Sequence, residues 1–193
     1  MEKKVFVEIS ARHVHLPQDV YRILFGEDAE MTAVKNLTGG GAFVDSRRVT
    51  LVGPKGEMKR VAILGPYRPT QIELAKTDAR KLGVDAPIRI SGNTAGTAPI
   101  KIIGDVGEYE APEGAIVAKR HIHLGQTDAD EWGVVKGQNV QVRIESEGRT
   151  LIFDDVEIRP NPDDGNGPLM HIDTDEGNAA GMNGPGEGFA IIK

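Results

Sequence analysis

The chain has 193 residues, enough for one domain or two small ones that each bury a core, and its 29 acidic against 23 basic side chains give a formal charge of −6. That balance argues against nonspecific binding to nucleic acid or to an anionic membrane, and points to small molecules or proteins as partners. The absence of cysteine excludes disulfides, thiolate metal sites and a thiol nucleophile, is compatible with a reducing cytosol, and leaves only nitrogen and oxygen donors for any zinc.

Met1-Glu2-Lys3-Lys4-Val5 leads directly into a strand pattern, and no run of 18 apolar residues follows, so a soluble intracellular protein without signal peptide or membrane span is expected. Val5, Val7 and Ile9 alternate with polar or solvent-facing positions, and the same face continues through Ala11 to His13 and His15. If that strand stays regular, both imidazoles point toward an apolar interior. Pro17 suits a first helical turn, with Val20, Ile23 and Leu24 as the buried side of a short helix ending near Gly26. Gly39-Gly40-Gly41 reads as a turn or loop. Short strands are predicted at Val49–Val52, Val61–Leu64, Ile88–Ile90 and Ile100–Ile103, separated by Gly, Pro and Asn as in a small barrel or sandwich.

The Gly-, Pro- and Glu-rich stretch Gly104–Gly114 reads as a linker between a first domain, 1–105, and a second, 114–193, with approximate bounds and strands able to exchange between them. Strands are predicted in the second at Ala115–Ala118, Val140–Ile144, Leu151–Ile158 and Leu169–Ile172. Thr77-Asp78-Ala79 with Gly83-Val84 matches Thr127-Asp128-Ala129 with Gly133-Val134, each a Thr N-cap, an acidic first turn and a Gly terminator. The tail from Gly177 to Gly188 reads as irregular, followed by a last strand at Phe189–Ile192.

Arg12-His13-Val14-His15-Leu16 recurs as Arg120-His121-Ile122-His123-Leu124, and these pairs take four of the five histidines in the chain. In a strand, side chains at i and i+2 share a face about 6–7 Å apart, so each pair presents two imidazoles in one direction, a common way to hold a metal ion. The fifth, His171, lies in Met170-His171-Ile172-Asp173-Thr174-Asp175. Five histidines and one carboxylate would make two three-ligand sites, the number that catalytic zinc keeps when one position is left to water or substrate. The competing reading is that each pair fills a sheet face or binds anions. Asp173 and Asp175 share the His171 face and could orient it, or could simply be solvated.

Gly65-Pro66-Tyr67-Arg68-Pro69-Thr70-Gln71-Ile72-Glu73 sets an arginine and a glutamate around a Pro-punctuated loop. The guanidinium could clamp a phosphate or carboxylate, or pair with Glu73 at the surface. Lys35, Arg47, Arg48, Lys55, Lys59 and Arg60 concentrate in the first half, either as a solvated face or as a dock for a polyanionic cofactor. Gly53-Pro54-Lys55-Gly56 is a hairpin turn, Gly184–Gly188 has no helix after it to make a phosphate loop, and Asp163–Gly167 lacks EF-hand spacing.

Several ordered segments resemble the PduL-type phosphotransacylases, the phosphate propanoyltransferases of propanediol-utilising microcompartments and their relatives. They are Ile9–Leu16, Val49–Gly56, Gly65–Arg68, Gln71–Glu73, Thr77–Arg80, Ile90–Asn93, Val117–His123 and His171–Gly181. The resemblance implies a mainly β fold, two small β-barrel domains with short capping helices, and a two-zinc site at the domain interface. It implies His13, His15 and Glu73 around one ion and His121, His123 and His171 around the other. Arg68 would bind the attacking phosphate, and Ser10, Lys35, Leu64 and Asn178 would line a coenzyme A site. The implied reaction is acyl-CoA plus phosphate giving acyl phosphate and CoA, with propanoyl or acetyl as the acyl group and without an acyl-enzyme.

Two departures from the family pattern stand out. The Arg68-to-Glu73 segment is one residue shorter than usual, and Ala62-Ile63 stands where relatives often carry an arginine before Leu-Gly-Pro, a contact that Arg60 could supply. A homodimer and microcompartment association are also family expectations. Because the chain leaves no room for the amphipathic targeting helix of microcompartment members, a free cytoplasmic enzyme is the simpler expectation. The rival readings are a metal-dependent thioester hydrolase and a noncatalytic metal-stabilised scaffold.

Overall fold

The computed structural model describes residues 1–38, 41–162 and 167–192. The Gly39-Gly40 pair of the expected glycine turn, and Asp163–Asn166 of the acidic turn, lie outside the described residues. The chain divides into two compact units, Arg12–Ala118 and Met1–Ala11 with Lys119–Lys193. No described helix is long and apolar enough to cross a membrane.

In the unit Arg12–Ala118 the strands are β2 (His13–His15), β3 (Ala33–Asn36), β4 (Phe43–Gly53), β5 (Gly56–Gly65), β6 (Gln71–Glu73), β7 (Ile88–Arg89), β8 (Ala98–Ile103) and β9 (Glu108–Ala118), with helices α1 (Gln18–Phe25) and α2 (Lys76–Leu82). Six of the strands close a ring. β9 is parallel to β6, β6 antiparallel to β2, β2 parallel to β5, and β5, β4, β8 and β9 run antiparallel in succession. β3 extends β4 and β7 extends β9 at the margins.

The other unit holds β1 (Glu2–Ser10), β10 (His121–Gly125), β11 (Asn139–Ile144), β12 (Leu151–Asn161), β13 (Leu169–Asp173) and β14 (Gly186–Ile191), with α3 (Gln126–Trp132) and α4 (Thr174–Ala179). Its barrel repeats the same cycle: β1 parallel to β13, β13 antiparallel to β10, β10 parallel to β12, and β12, β11, β14 and β1 antiparallel in succession. Even a bulge is repeated. Two residues ending in a left-handed one, Lys59-Arg60 (φ 59°) and Asp154-Asp155 (φ 51°), face one residue of the partner strand, between Val49 and Leu51 and between Val140 and Val142. Each bulge lies just ahead of the residues that pair with the His-x-His strand and sets their direction.

The fold is therefore mainly β, two six-stranded barrels with short helices, and each barrel takes the strand that precedes the other's His-x-His segment. A boundary within 104–114 does not describe this exchange, because chain order and barrel membership differ: β1 pairs with β13 and β14 near the other end of the chain. The Gly-rich stretch is a hairpin between β8 and β9 that runs into β9. Its glycines are required by packing, since a Cβ at Gly104 or Gly107 would sit 2.3 Å from Leu24 O or 2.2 Å from Ile23 O of α1.

Other local expectations shift for equally physical reasons. The first strand breaks at Ala11-Arg12. Val14 and Ile122, between the paired histidines, are the residues fully buried in the barrel cores, so alternation turns the imidazoles to the opposite face. On α1, Tyr21 and Phe25 join Val20 and Leu24 inside, while Ile23 is 49% exposed. The short helices are capped by Ala75 and Gly125 rather than by Thr77 and Thr127, which lie in their first turns; the Gly83 and Gly133 terminators are left-handed as expected. Moreover α2 follows β6 and α3 follows β10, so the repeated Thr-Asp-Ala phrase marks two non-equivalent helices. The true counterparts are α1 with α3 and α2 with α4. Part of the tail expected to be irregular is ordered as α4 and the start of β14.

Candidate active site

Each barrel gathers one donor group. In one, β2 and β6 pair so that His13 lies opposite Glu73; in the other, β10 and β13 pair so that His121 lies opposite His171. The third donor thus occupies the same register in both barrels. The donor atoms of His13, His15 and Glu73, and those of His121, His123 and His171, lie within 4.8 Å of one another in each group.

The rings are oriented by their other nitrogens. His15 Nδ1 donates to Leu64 O at 3.1 Å and His121 Nδ1 donates to Lys119 O at 2.8 Å. A neutral ring that donates from Nδ1 carries a bare lone pair on Nε2. Burial, reinforced by neighbouring positive groups, pushes both imidazoles down to about 3, with His13 and Arg68 acting on His15 and with His123, His171 and Arg159 acting on His121. Both are therefore neutral near pH 7. His15 Nε2 faces Glu73 Oε1 at 4.0 Å and His13 Nε2 faces Oε2 at 3.5 Å.

Burial alone would raise the Glu73 carboxyl; attraction to His13, hydrogen bonds from His13 and Ser91, and attraction to His15 in the acid range where that ring protonates outweigh it and hold the group well below the usual carboxylate range. In the other barrel, His121 Nε2 and His123 Nε2 approach to 2.9 Å, and the Asn161 amide nitrogen contacts His123 Nδ1 at 2.8 Å. Imidazole nitrogens converging in each group, with a carboxylate in one, form a donor set that suits zinc, whose catalytic sites commonly use three nitrogen and oxygen ligands.

Arg68 is tied to the first group. Its Nη2 donates to Ser91 Oγ at 3.1 Å, and Ser91 Oγ in turn donates to Glu73 Oε1 at 3.1 Å. Gln71, almost fully buried, donates from Nε2 to Glu73 Oε1 at 2.6 Å and accepts at Oε1 from Gly92 N at 2.6 Å. The Arg68 backbone N–H donates to Leu16 O, fixing the loop after the cis Gly65–Pro66 bond to the segment just beyond the histidines. Arg68 and Glu73 are thus joined through Ser91.

The phosphate propanoyltransferase family profile matches residues 6–183. The chain is similar to the phosphate propanoyltransferase of Thermotoga maritima, with 46% identity over 183 residues covering 94% of this chain and 86% of that one. It is also similar to that of Citrobacter rodentium, 45% over 192 residues, 99% and 90%, and to that of Salmonella typhimurium, 44% over 185 residues, 95% and 87%. The chain belongs to the phosphate propanoyltransferase family. The family is one of phosphate acyltransferases, and it implies acyl-CoA and phosphate as substrates.

The other residues that the family resemblance singles out fall in both units. Ser10 ends β1 opposite Asp173, and Asn178 is exposed on α4, in the unit of the three-histidine group. Lys35 is exposed on β3 and Leu64 lies on β5, in the unit of the two-histidine group, where the Leu64 carbonyl orients His15. Arg60 is exposed at its bulge.

Asp173 caps α4 by accepting from Glu176 N at 2.9 Å, and burial raises its carboxyl to about 6. The two arginines that precede the histidine pairs have matching tasks, Arg12 on Asp78 and Arg120 on Glu176, each an acid in the first turn of the helix after the third donor. Sequence reading assigned no role to Gln71, Ser91, Asn161 or Glu8 at these groups. Gln71 is two residues before Glu73 in a strand and so on its face, a signal that was present; the others arrive through strand pairing and loops.

Proposed function

We propose that this family member moves a short acyl group, propanoyl or acetyl, between coenzyme A and inorganic phosphate by direct attack of phosphate on the thioester. The observation that carries the reading is the group of His13, His15 and Glu73, with the Arg68 guanidinium held beside it through Ser91. In this reading His13, His15 and Glu73 hold one zinc ion and His121, His123 and His171 a second, and Arg68 is the catalytic residue that binds the attacking phosphate. Zinc would supply Lewis acidity toward the thioester oxygen or the departing thiolate.

Arg68 would present planar paired donors to phosphate, neutralising charge on the nucleophile and holding it in line with the carbonyl. Ser91 and Gln71 keep Glu73 and Arg68 at fixed spacing, so that bringing phosphate to the site costs little reorganisation. Ser10, Lys35, Leu64 and Asn178 would contact coenzyme A, with Lys35 suited to its phosphates. The chain has no cysteine to carry the acyl group as a thioester, and in this reading the group passes directly between substrates in a ternary complex.

The test is metal removal and return. Chelated enzyme should lose acyl phosphate formation from propanoyl- or acetyl-CoA and regain it on addition of zinc, with two zinc ions bound per chain. Full activity in thoroughly metal-free protein would refute the zinc part of the reading, and a labelled acyl group trapped on the protein during turnover would refute direct transfer.

A further inference from the structure

Gln71 is a polar side chain with 1% of its surface exposed, on the strand that supplies the third donor of the two-histidine group. The duplication of the barrels isolates it. Gln71 lies opposite His15, two residues before Glu73; the residue in the same register of the other barrel, opposite His123 and two before His171, is Leu169, which is apolar and buried. An amide thus stands where the third donor is a carboxylate, and a leucine where it is an imidazole. The barrels share strand order, bulge and histidine register, so the fold itself does not call for glutamine here.

Hydrogen bonds fix the direction of the amide. Gly92 N can only donate, so its partner at 2.6 Å is Gln71 Oε1. Nε2 then has two hydrogens for two acceptors, Glu73 Oε1 at 2.6 Å and Ser91 Oγ at 2.8 Å. Ser91 Oγ also accepts from Arg68 Nη2 at 3.1 Å and gives its own hydrogen to Glu73 Oε1 at 3.1 Å. Glu73 Oε1 therefore receives two hydrogen bonds. Oε2 is the oxygen nearer the imidazoles, 3.5 Å from His13 Nε2, against 4.0 Å between Oε1 and His15 Nε2.

We propose that Gln71 is a positioning residue that makes Glu73 a one-oxygen ligand, holding Oε1 in hydrogen bonds so that Oε2 alone is presented to the ion of the His13–His15–Glu73 group. The proposal rests on the reading that this group holds a metal. A carboxylate can bind a cation through one oxygen or chelate it through both, and catalytic zinc keeps a position for substrate beside three protein donors. Two imidazoles and one carboxylate oxygen leave that position, whereas a chelating Glu73 would take it. Burial keeps water from standing in for the amide. The leucine of the other barrel follows from the same logic, because an imidazole directs one nitrogen at its group and needs no such restraint. Through Ser91, the amide also sets the distance of Arg68 from the oxygen that does not bind.

The experiment uses the full chain, freed of metal, in wild-type form, as Gln71→Met, which keeps the length of the side chain without its donors, and as Gln71→Leu, the residue found in the other barrel. Each is loaded with cobalt(II) and read by visible absorption, and titrated with zinc against a chromophoric chelator. Both measurements are repeated with His121 and His123 replaced by Ala, so that the other group does not contribute. The two Gln71 variants are expected to bind this ion at least about tenfold more weakly, because the carboxylate is no longer held in place before the ion arrives. They are also expected to show a weaker visible band per cobalt, because the second carboxylate oxygen adds a ligand atom. Circular dichroism of the metal-free proteins confirms folding. A purely structural role would lower the melting temperature and leave the cobalt spectrum unchanged, and that result in both variants would overturn the role of Gln71 with the metal reading intact. No ion bound by wild type would overturn the metal reading itself, and this proposal with it.

Discussion

Metal-free protein should lose stability on acidification from pH 7 to pH 5, because His15 and His121 are buried as neutral rings. Each has an ordinary value of 6.5 and is held down to about 3 in the fold, by burial first and by neighbouring positive groups second. A depressed histidine binds its proton in the unfolded chain and not in the folded one. Its contribution is therefore present above pH 6.5 and drains away as pH falls toward the folded value. Integrated from pH 7 to pH 5, each such ring costs about 2 kcal/mol of stability.

Asp173 has the opposite sign. Raised to about 6, it is protonated in the folded state before the unfolded one and gains stability over the same interval. It is only partly buried, so solvent screening keeps that gain below about 1 kcal/mol. The Arg12–Ala118 unit should then lose about 2 kcal/mol, and the unit containing His121 and Asp173 slightly less. These are large fractions of a domain stability of about 5–15 kcal/mol. Urea unfolding in chelator at pH 7, 6 and 5 measures the loss, followed by circular dichroism for both units and by Trp132 fluorescence for the unit that contains the sole tryptophan. Zinc should suppress the loss until protons displace the metal. Flat stability between pH 7 and pH 5 without metal would refute the neutral buried rings.

Three substitutions extend the account. Arg68→Ala is expected to lower kcat/KM for phosphate about 10- to 150-fold, the worth of a charge-assisted hydrogen bond to the nucleophile, with Arg68→Lys recovering only part of it; steady-state rates at varied phosphate decide this. Glu73→Gln keeps the shape of the strand but removes the charge and should weaken one of two zinc ions by at least about tenfold, read by chelator competition. Asp45 is fully buried, accepting from the Tyr21 hydroxyl at 2.6 Å and Thr32 N at 2.7 Å. Asp45→Ala should cost about 2–4 kcal/mol in denaturant unfolding while leaving metal stoichiometry unchanged.

The chain is legible where local chemistry decides and opaque where pairing does. Turn and strand punctuation located most strands, the Gly53–Gly56 hairpin and the left-handed Gly83 and Gly133. The two occurrences of Arg-His-x-His-Leu mark the donor pairs directly, since strand alternation places both rings of a pair on one face. Which face was another matter. Val14 and Ile122 take the core positions, a choice made by strand partners that periodicity does not name. Gly104 and Gly107 suggested a linker because small residues suit flexible segments, yet they serve close packing against α1.

The repeated Thr-Asp-Ala phrase misled for a similar reason. A short capped helix recurs wherever a strand must be reversed, so its likeness does not report duplication, whereas the cyclic strand order and the matched bulges do. Glu73 carried no local signature, and its place among the expected ligands came from resemblance. The register that puts it opposite His13, and His171 opposite His121, is a property of tertiary pairing. Glu8 alternates with Val5, Val7 and Ile9 and so reads as solvent-facing until β1 is paired with β13.

The central claim, metal-assisted acyl transfer to phosphate, is tested most directly by thiol release from propanoyl- and acetyl-CoA, with and without inorganic phosphate, before and after chelation. The chain contains no cysteine, so every thiol detected is coenzyme A. The account predicts release that requires phosphate, is abolished by chelation and returns with zinc. Release at the same rate without phosphate would make the protein a thioester hydrolase and contradict it.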